Sequence, residues 1–570
     1  MEHKEPDLVV IGSGAAGLAA ACAAAAAGAR VLLLEHTDRI GGTTAVSGGM
    51  VWVPANHKMG SVGVEDSRAL ALTYLQATVP GAPGDPRMRA FVDQGDAVVR
   101  HLEQHTLLRL QPVRRYPDYY PDLPGATAGG RVLEPVAFDG RELGGEFAHL
   151  RDPLPEFMLF GGMMISREDI PKLRKAGRSI PAAWHVGKLL ARYALQRVRA
   201  HRGTTLVLGN ALVARLFKSA LDLGVTIVRG ARVERLLVEE GRVAGVQWRR
   251  GDDPGGVARP GAGVVLATGG MSHDAALRRD YVPAAAGDRS ATIASGAPRS
   301  GMRLALQCGA ARSAAASGVD DALAFWVPTS SWQRDDGATA LFPHTVTDRA
   351  KPGLIAVDAA GRRFVNEAVS YHEFVRAQLR RAESAIPAWL ICDRRFLWKY
   401  GLGRVRPFAL TTRADLACGY LKRGDTLEAL AREIGVPVER FVATVTAYNL
   451  DARNGRDTEF GRGENIYQRH LGDADHGPNP CVAPIEQGPF YAVSVAPADL
   501  GMSAGLLTDE HARVLRPDQS PIPGLYACGN DMHSVMNGAY PGPGITLGPA
   551  LVFGVIAARH ALGLPPLDAR

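Results

Sequence analysis

An α/β fold follows from three observations. The chain opens on a strand, a glycine-rich turn and a helix, Leu8 to Ala27. Glycine-rich strand ends return far downstream, at Ala267–Gly270 and at Gly529. The stretch between about 318 and 487 has no such pattern. Together they predict a Rossmann-like nucleotide-binding domain built from residues 1–317 and 488–570. An inserted α+β catalytic domain occupies 318–487.

Leu8-Val9-Val10-Ile11 is a short apolar run, as a parallel strand buried on both faces requires. Gly12, Gly14 and Gly17 follow at G-x-G-x-x-G spacing, with Ser13, Ala15 and Ala16 between them. The first glycine permits the tight turn, and the second lets a pyrophosphate approach the backbone. The third lets helix and strand pack closely. The N-terminus of the Ala-rich helix presents free N–H groups to the phosphates. A second strand, Val31–Leu34, ends in Glu35 and His36. Glu35 stands where a ribose-binding acid is expected. Gly41-Gly42-Thr43-Thr44 and Ser47-Gly48-Gly49 then combine small residues with hydroxyls. Such a loop suits backbone wrapped against a large planar cofactor, which favours FAD over NAD.

Residues 66–108 have helical periodicity, and 115–125 form a loop holding Tyr116, Tyr119 and Tyr120. Between 156 and 202 an apolar cluster precedes ten basic residues, from Arg167 to Arg202, against only Glu168 and Asp169. Trp184, Leu189, Leu190, Tyr193 and Val198 are interleaved with them. Two readings fit: an interfacial segment for a membrane surface, or a solvated helix with one buried stripe. A helix over 211–223 leads to a strand at 225–228. Residues 231–246 read as a hairpin turning at Gly241, with Val233 against the cofactor. The strand at 264–266 ends in Ala267, Thr268 and Gly269. This second close backbone approach implies one extended cofactor touched by separated segments. Residues 357–367 read as a further hairpin, with Tyr371 after it. The strand from Gly524 ends in Gly529, Asn530 and Asp531, which are expected at the cofactor. A Gly/Pro-rich loop, 537–550, contains Tyr540, Gly544, Thr546 and Leu547 and enters an apolar helix. A helix N-terminus there would stabilise negative charge on a flavin's pyrimidine edge.

The 570 residues are 46% hydrophobic and 22% charged, with 65 basic and 58 acidic side chains and a net charge of +7. This is an ordinary globular composition whose mild charge does not indicate nucleic acid. The six cysteines lack C-x-x-C spacing, so reduced thiols are expected, with neither a disulfide frame nor a metal site. A polar N-terminus and the lack of a long apolar run predict a cytoplasmic protein, with membrane association at the cytoplasmic face through about 156–202.

The opening unit, Ala-Thr-Gly-Gly at 267–270, Gly-Arg-Arg-Phe-Val-Asn-Glu at 361–367 and Gly-Leu-Tyr-Ala-x-Gly-Asn at 524–530 resemble the fumarate reductase/succinate dehydrogenase flavoproteins. The resemblance implies a GR2-type FAD domain. Tyr540-Pro-Gly-Pro-Gly-Ile-Thr-Leu-Gly-Pro549 is more specific, and is similar to the 3-ketosteroid Δ1-dehydrogenases. The His-Gly-x-Asn-Arg-Leu run expected of fumarate reductases is absent, as is the Tyr-x-Ser-Gly of Δ4-(5α)-dehydrogenases. The resemblance implies that Tyr540 and the Gly544 N–H grip the 3-keto oxygen of a 3-ketosteroid or sterol-derived ketone. Tyr371 would be the base, assisted by Tyr119, with Tyr116 and Tyr120 as alternatives. It also implies an external electron acceptor, a quinone or similar. The segment 156–202 looks like the insert of longer members that act on membrane-held sterols.

The chemistry is coherent in its own terms. Two donors aimed at one ketone oxygen make the α-proton acidic, as an oxyanion hole does. A tyrosine base, with a reference pKa near 10, needs its phenolate stabilised by a neighbour. Flavin N5 accepts the hydride from the β-carbon. Three rivals stand beside this reading: a Δ4-(5α)-dehydrogenase, a fumarate-reductase-like enone or ene reductase, and a membrane-surface flavoprotein with structural FAD.

Overall fold

The computed structural model describes residues 5–166, 169–177, 179–251, 253–293, 300–316, 318–320 and 322–567. Leu8–Ile11 lies at the centre of a six-stranded sheet, parallel to Val31–Glu35 on one side and to Gly263–Leu266 on the other. Thr226–Arg229 extends one edge in parallel. Pro521–Ala527 extends the other, and Arg513–Leu515 closes it antiparallel. All four residues of Leu8–Ile11 are buried, which explains the unbroken apolar run. The cover includes Ala15–Ala26, which packs against Leu547–Ala561 from the far end of the chain. Gly12 has φ +106°, and a Cβ there would overlap the carbonyl of Ala267, so this turn accepts glycine alone.

A second sheet holds the inserted unit. Ala324–Gln333 pairs antiparallel with Thr339–Pro343 and with Phe490–Met502. Phe490–Met502 pairs in turn with Ala388–Asp393, and that strand with Leu354–Val357. The return to the nucleotide-binding part therefore comes after Met502, one strand later than the boundary at 488 placed it. Apolar composition alone does not report which sheet a strand joins. Residue 317, the expected end of the first part, lies outside the described residues.

Two local expectations are also corrected. The helical stretch 66–108 is two helices, Arg68–Thr78 and Pro86–His105, parted where Pro80, Gly81, Pro83 and Gly84 fall. The segment 357–367 makes a single bridge, Val357 to Arg363, rather than a hairpin. Its charged residues turn inward: Arg363 pairs with Glu367 and Asp457, all buried. The hairpin at 231–246 forms as Ala231–Glu239 with Arg242–Arg250, and a third strand, Asp253–Ala258, joins it.

The basic-aromatic segment contains the helix Ile180–Arg197. Its buried-stripe reading is not met: Ala182 is its buried residue among those described, while Ile180, Trp184 and Leu195 are 86%, 67% and 75% exposed. Arg167, Glu168 and Arg178 lie outside the described residues. Among the described residues no helix is long and apolar enough to cross a membrane.

A buried charge cluster fixes the tyrosine loop. Arg131 donates to both oxygens of Asp66, at 2.8 and 2.7 Å, and to Asp118 at 2.8 Å. Asp118 also accepts from the Trp52 indole and from Thr127. Beyond it, Tyr119 N–H donates to Pro541 O at 2.9 Å, and the Tyr74 hydroxyl donates to the same carbonyl at 2.6 Å. The loop carrying Tyr119 is thereby tied to the loop carrying Tyr540. Arg131→Met leaves two carboxylates buried and unpaired, and is expected to lower stability by about 3–5 kcal/mol. Thermal unfolding of the flavin-loaded variant checks this; an unchanged midpoint would contradict it.

Candidate active site

One cavity of about 1290 Å³ joins the two units. At one end it is lined by Gly12, Ser13, Gly14, Ala15, Ala16, Glu35 and His36. Gly42, Thr43, Thr44, Ser47, Gly48, Gly49 and Val233 follow, then Ala267, Thr268, Gly269, Gly529, Asn530, Gly544, Thr546 and Leu547. Three expected cofactor residues do not line it. Gly17 packs onto Gly12 O, and Gly41 packs onto Val213 while its N–H donates to Ser13 Oγ. Asp531 is turned back on the protein: it accepts from Thr268 N, from Thr268 Oγ1 at 2.8 Å and from Gly270 N. Burial raises its carboxyl to about 6 against those bonds. Asp531 thus shapes the Ala267–Gly270 loop from behind. Lining residues without a legible sequence signal include Arg151, Arg232 and His273; isolated polar residues outside any motif carry none.

These residues fit FAD. The first helix begins at Ala15 with no side-chain cap from Gly14, so its positive end faces the cavity. Ala15 N–H bonds Thr44 Oγ1 at 3.1 Å, which ties the hydroxyl loop to that helix end. Glu35 is fixed by Ser13 N and Oγ at one oxygen and by Thr37 N and Oγ1 at the other. Arg151, across the same space, has a buried Nε without an acceptor among the described residues. A polyhydroxylated, phosphate-bearing ligand would supply the partners this end lacks.

The tyrosines meet at the other side. Tyr371 is the first residue of the helix Tyr371–Arg380, which Ser370 caps by accepting from Glu373 N. The Tyr119 hydroxyl donates to the Tyr371 hydroxyl at 3.0 Å. The Tyr119 and Tyr540 rings stack, with centroids 5.6 Å apart, and Tyr371 stands edge-on to Tyr540 at 5.2 Å. The other two loop tyrosines make different contacts. Tyr120 donates to Glu373 at 2.8 Å, and Tyr116 packs on the His470 ring. Burial pushes the Tyr371 and Tyr119 phenols well up, and the bond from Tyr119 draws Tyr371 back down. Burial takes Tyr540 to about 12, opposed by its bond with Tyr371.

Gly544 completes the cluster. It has φ +94°, and a Cβ would overlap Met50 O. Its carbonyl accepts from Trp52 N and Gly548 N, whereas its N–H has no acceptor among the described residues. Tyr540 and Gly544, with its spare N–H, both line this cavity.

Beyond the phenols the walls turn apolar. Leu159, Phe160, Ile165, Leu173, Val186 and Leu190 come from the segment before and along the exposed helix. Leu402, Val405 and Phe408 face them from the inserted unit. Of the cations lining this cavity, Arg404 meets Asp415, whereas Arg406 is held by the carbonyls of Pro155 and Met158 and Lys351 by those of Leu471 and Gly472.

A family model for the FAD binding domain matches residues 7–547. The chain is 37% identical to a 4-oxocyclohex-2-ene-1-carboxylate 5-dehydrogenase of Sinomonas cyclohexanicum, over 98% of this chain and 94% of that one. It is 34% identical to a 3-oxosteroid 1-dehydrogenase of Mycolicibacterium smegmatis, over 98% and 97%. It also superposes with a TM-score of 0.89 on a 3-ketosteroid Δ1-dehydrogenase of Sterolibacterium denitrificans, solved with 1,4-androstadiene-3,17-dione. That match has 37% identity and covers 98% and 99% of the two chains. With its FAD-binding architecture and a near full-length match to these enzymes, the chain belongs to the flavoprotein family of the 3-oxosteroid 1-dehydrogenases, FAD-dependent oxidoreductases acting on CH–CH groups.

Proposed function

We propose that the protein desaturates the C1–C2 bond of 3-ketosteroids. The observation that carries this reading is the convergence of Tyr119, Tyr371 and Tyr540 beside the spare Gly544 N–H, at the mouth of an apolar cavity. Tyr540 O–H and Gly544 N–H donate to the 3-keto oxygen and stabilise the charge that grows there as the C2 proton leaves. Tyr371 takes that proton at its Oη, and Tyr119 donates to the same oxygen. The aromatic faces exclude water and present a flat surface to the steroid plane. Bound FAD supplies the hydride acceptor for C1, and an external acceptor, quinone-like, reoxidises it. The residues placed to hold FAD are those lining the glycine end, from Gly12–Ala16 and Glu35 to Gly529, Asn530, Thr546 and Leu547.

The Sinomonas relative favours a second reading, a keto-substituted cyclohexane carboxylate as substrate. Against it, the distal wall is largely apolar, where a carboxylate gives up its hydration, and Arg404 is already matched by Asp415. The exposed apolar face of Ile180–Arg197, with Lys188 5.2 Å over the Trp184 ring, supports a peripheral membrane contact beside this opening.

Anaerobic mixing with androstenedione should bleach the flavin and yield the 1,4-diene, while 4-oxocyclohexanecarboxylate should not; the reverse pattern installs the second reading. Tyr540→Phe should retain flavin and lose about 10²–10³ in kcat; an undiminished kcat removes its role. The base acts as phenolate and burial raises its pKa, so activity is lost as pH falls. The logarithm of kcat/KM should climb with pH at unit slope through neutrality, and Tyr119→Phe should move that limb to higher pH. A flat profile excludes a tyrosine base. Anionic vesicles should sediment the protein, and Trp184→Asp with Leu195→Asp should release it; equal sedimentation of both forms excludes the contact.

A further inference from the structure

A buried phenolate needs a source of positive charge, and the phenol cluster supplies none. Burial pushes all three tyrosines up, and their mutual repulsion adds to it. The groups facing Tyr371 from neighbouring elements are Tyr116, Tyr119 and Tyr540, with Tyr467 behind Tyr119, none of them cationic. On its own helix, burial takes His372 down to about 4, so it is neutral at physiological pH. Glu373 is matched by Arg376 at 3.0 Å.

One cation lies beneath this site. Arg349 is 2% exposed, and its guanidinium is held entirely by carbonyls: His344 O at 2.9 Å, Glu367 O at 2.9 Å, Val369 O at 3.2 Å and Thr345 O at 3.2 Å. Two of those carbonyls belong to the strand of chain that runs directly into Ser370 and Tyr371. The guanidinium also sits 5.0 Å over the ring of Phe374, one turn along from Tyr371. It is thus packed under the first helical turn that carries the base.

Its pairing is what separates it from the other buried arginines. Arg131, Arg278, Arg363 and Arg462 each meet a carboxylate within 4.0 Å. Among the described residues Arg349 meets none. Its sequence neighbour Asp348 is committed to His344 at 2.7 Å and to Gly403 N at 3.1 Å, and the nearby Glu367 carboxylate is bound by Arg363 and Arg462. A buried guanidinium stays protonated. Its field in a buried interior is weakly screened, and it couples to Tyr467 and Tyr119, the second of which packs directly against Tyr371.

We propose that Arg349 is a positioning residue that sets the acidity of the Tyr119–Tyr371 pair, holding the first turn of the helix Tyr371–Arg380 in place and supplying a positive charge, not locked in an ion pair, that stabilises the Tyr371 phenolate. The inference rests on Tyr371 acting as the base.

The test compares Arg349→Gln with Arg349→Lys through the pH dependence of kcat/KM for androstenedione, on variants checked for flavin content. Both keep N–H donors for the carbonyls, but only lysine keeps the charge. Arg349→Gln should move the rising limb up by about one pH unit, which is about a tenfold loss at neutral pH. Arg349→Lys should leave the limb where it is. Equal shifts in both, or none in either, overturn the proposal, because a role in packing alone does not depend on charge. Should neither variant retain flavin, Asp348→Asn provides the opposite perturbation: removing the adjacent negative charge should lower the limb, and an unchanged or raised limb overturns the proposal. Tyr371→Phe separates the two levels. If it keeps wild-type activity the base assignment itself fails; if it is inactive while Arg349→Gln keeps the wild-type limb, only the role of Arg349 fails.

Discussion

The hydrogen bond from Tyr119 to Tyr371 is the constraint around which this protein is arranged. It joins residues 252 positions apart, both of them buried. Each partner comes from a different structural unit. Tyr119 sits on a loop of the nucleotide-binding part, whereas Tyr371 opens a helix of the inserted unit. The bond is formed only when both units fold and dock, so the geometry of the site reports the assembly of the whole chain. Tyr540 then stacks against Tyr119 from a third segment. Burial is costly for a phenolate, and also useful: in a dry site each donor, and each fixed charge, acts at greater strength than in water.

That convergence explains why the nucleotide-binding domain is split. The sheet needs Pro521–Ala527 beside Gly263–Leu266, so the chain must come back after the inserted unit. On its return it delivers the Tyr540–Gly544 loop and the helix Leu547–Ala561 to the face where Leu8–Ile11 ends. Ala-rich surfaces on both helices let them pack closely enough to hold that loop against Met50 and Trp52. The buried Arg131 cluster does the same for the Tyr119 loop from the other side. Cofactor end and phenol end thus share their supports.

What was legible in the sequence was whatever backbone geometry forces on residue choice. Gly12 and Gly544 are required by positive φ and close approach, and both announce themselves in glycine motifs. The parallel core strands were legible because burial on two faces removes polar residues altogether. Pairing was not legible. Phe490–Met502 is apolar enough for either sheet, and only its long-range partners assign it to the second. Asp531 was placed at the cofactor by its motif, yet its carboxylate is used up by Thr268 and Gly270. A motif fixes the position of a residue and leaves the direction of its side chain open. The choice of Tyr119 over Tyr116 and Tyr120 depended on that same direction, which the loop sequence does not encode. Arg131 and Arg349 stand outside every motif, because their importance lies in what they are buried against.

The same reasoning separates reaction from substrate. In the proposed mechanism the phenols and the Gly544 N–H act on a ketone oxygen and the carbon beside it, features that a steroid A-ring and an oxocyclohexane ring share. That is why relatives named for either substrate align over the full chain. On that reading discrimination comes from the far walls, lined by Leu159, Leu190, Leu402 and Val405, where Arg404 is matched by Asp415. A large apolar ring system gains from every wall it covers, roughly 25 cal/mol for each Å² removed from water. A small carboxylate gains little there and gives up its hydration. The chemistry is therefore general to an α,β-desaturation beside a ketone, and the selection of a steroid rests on the apolar space beyond it.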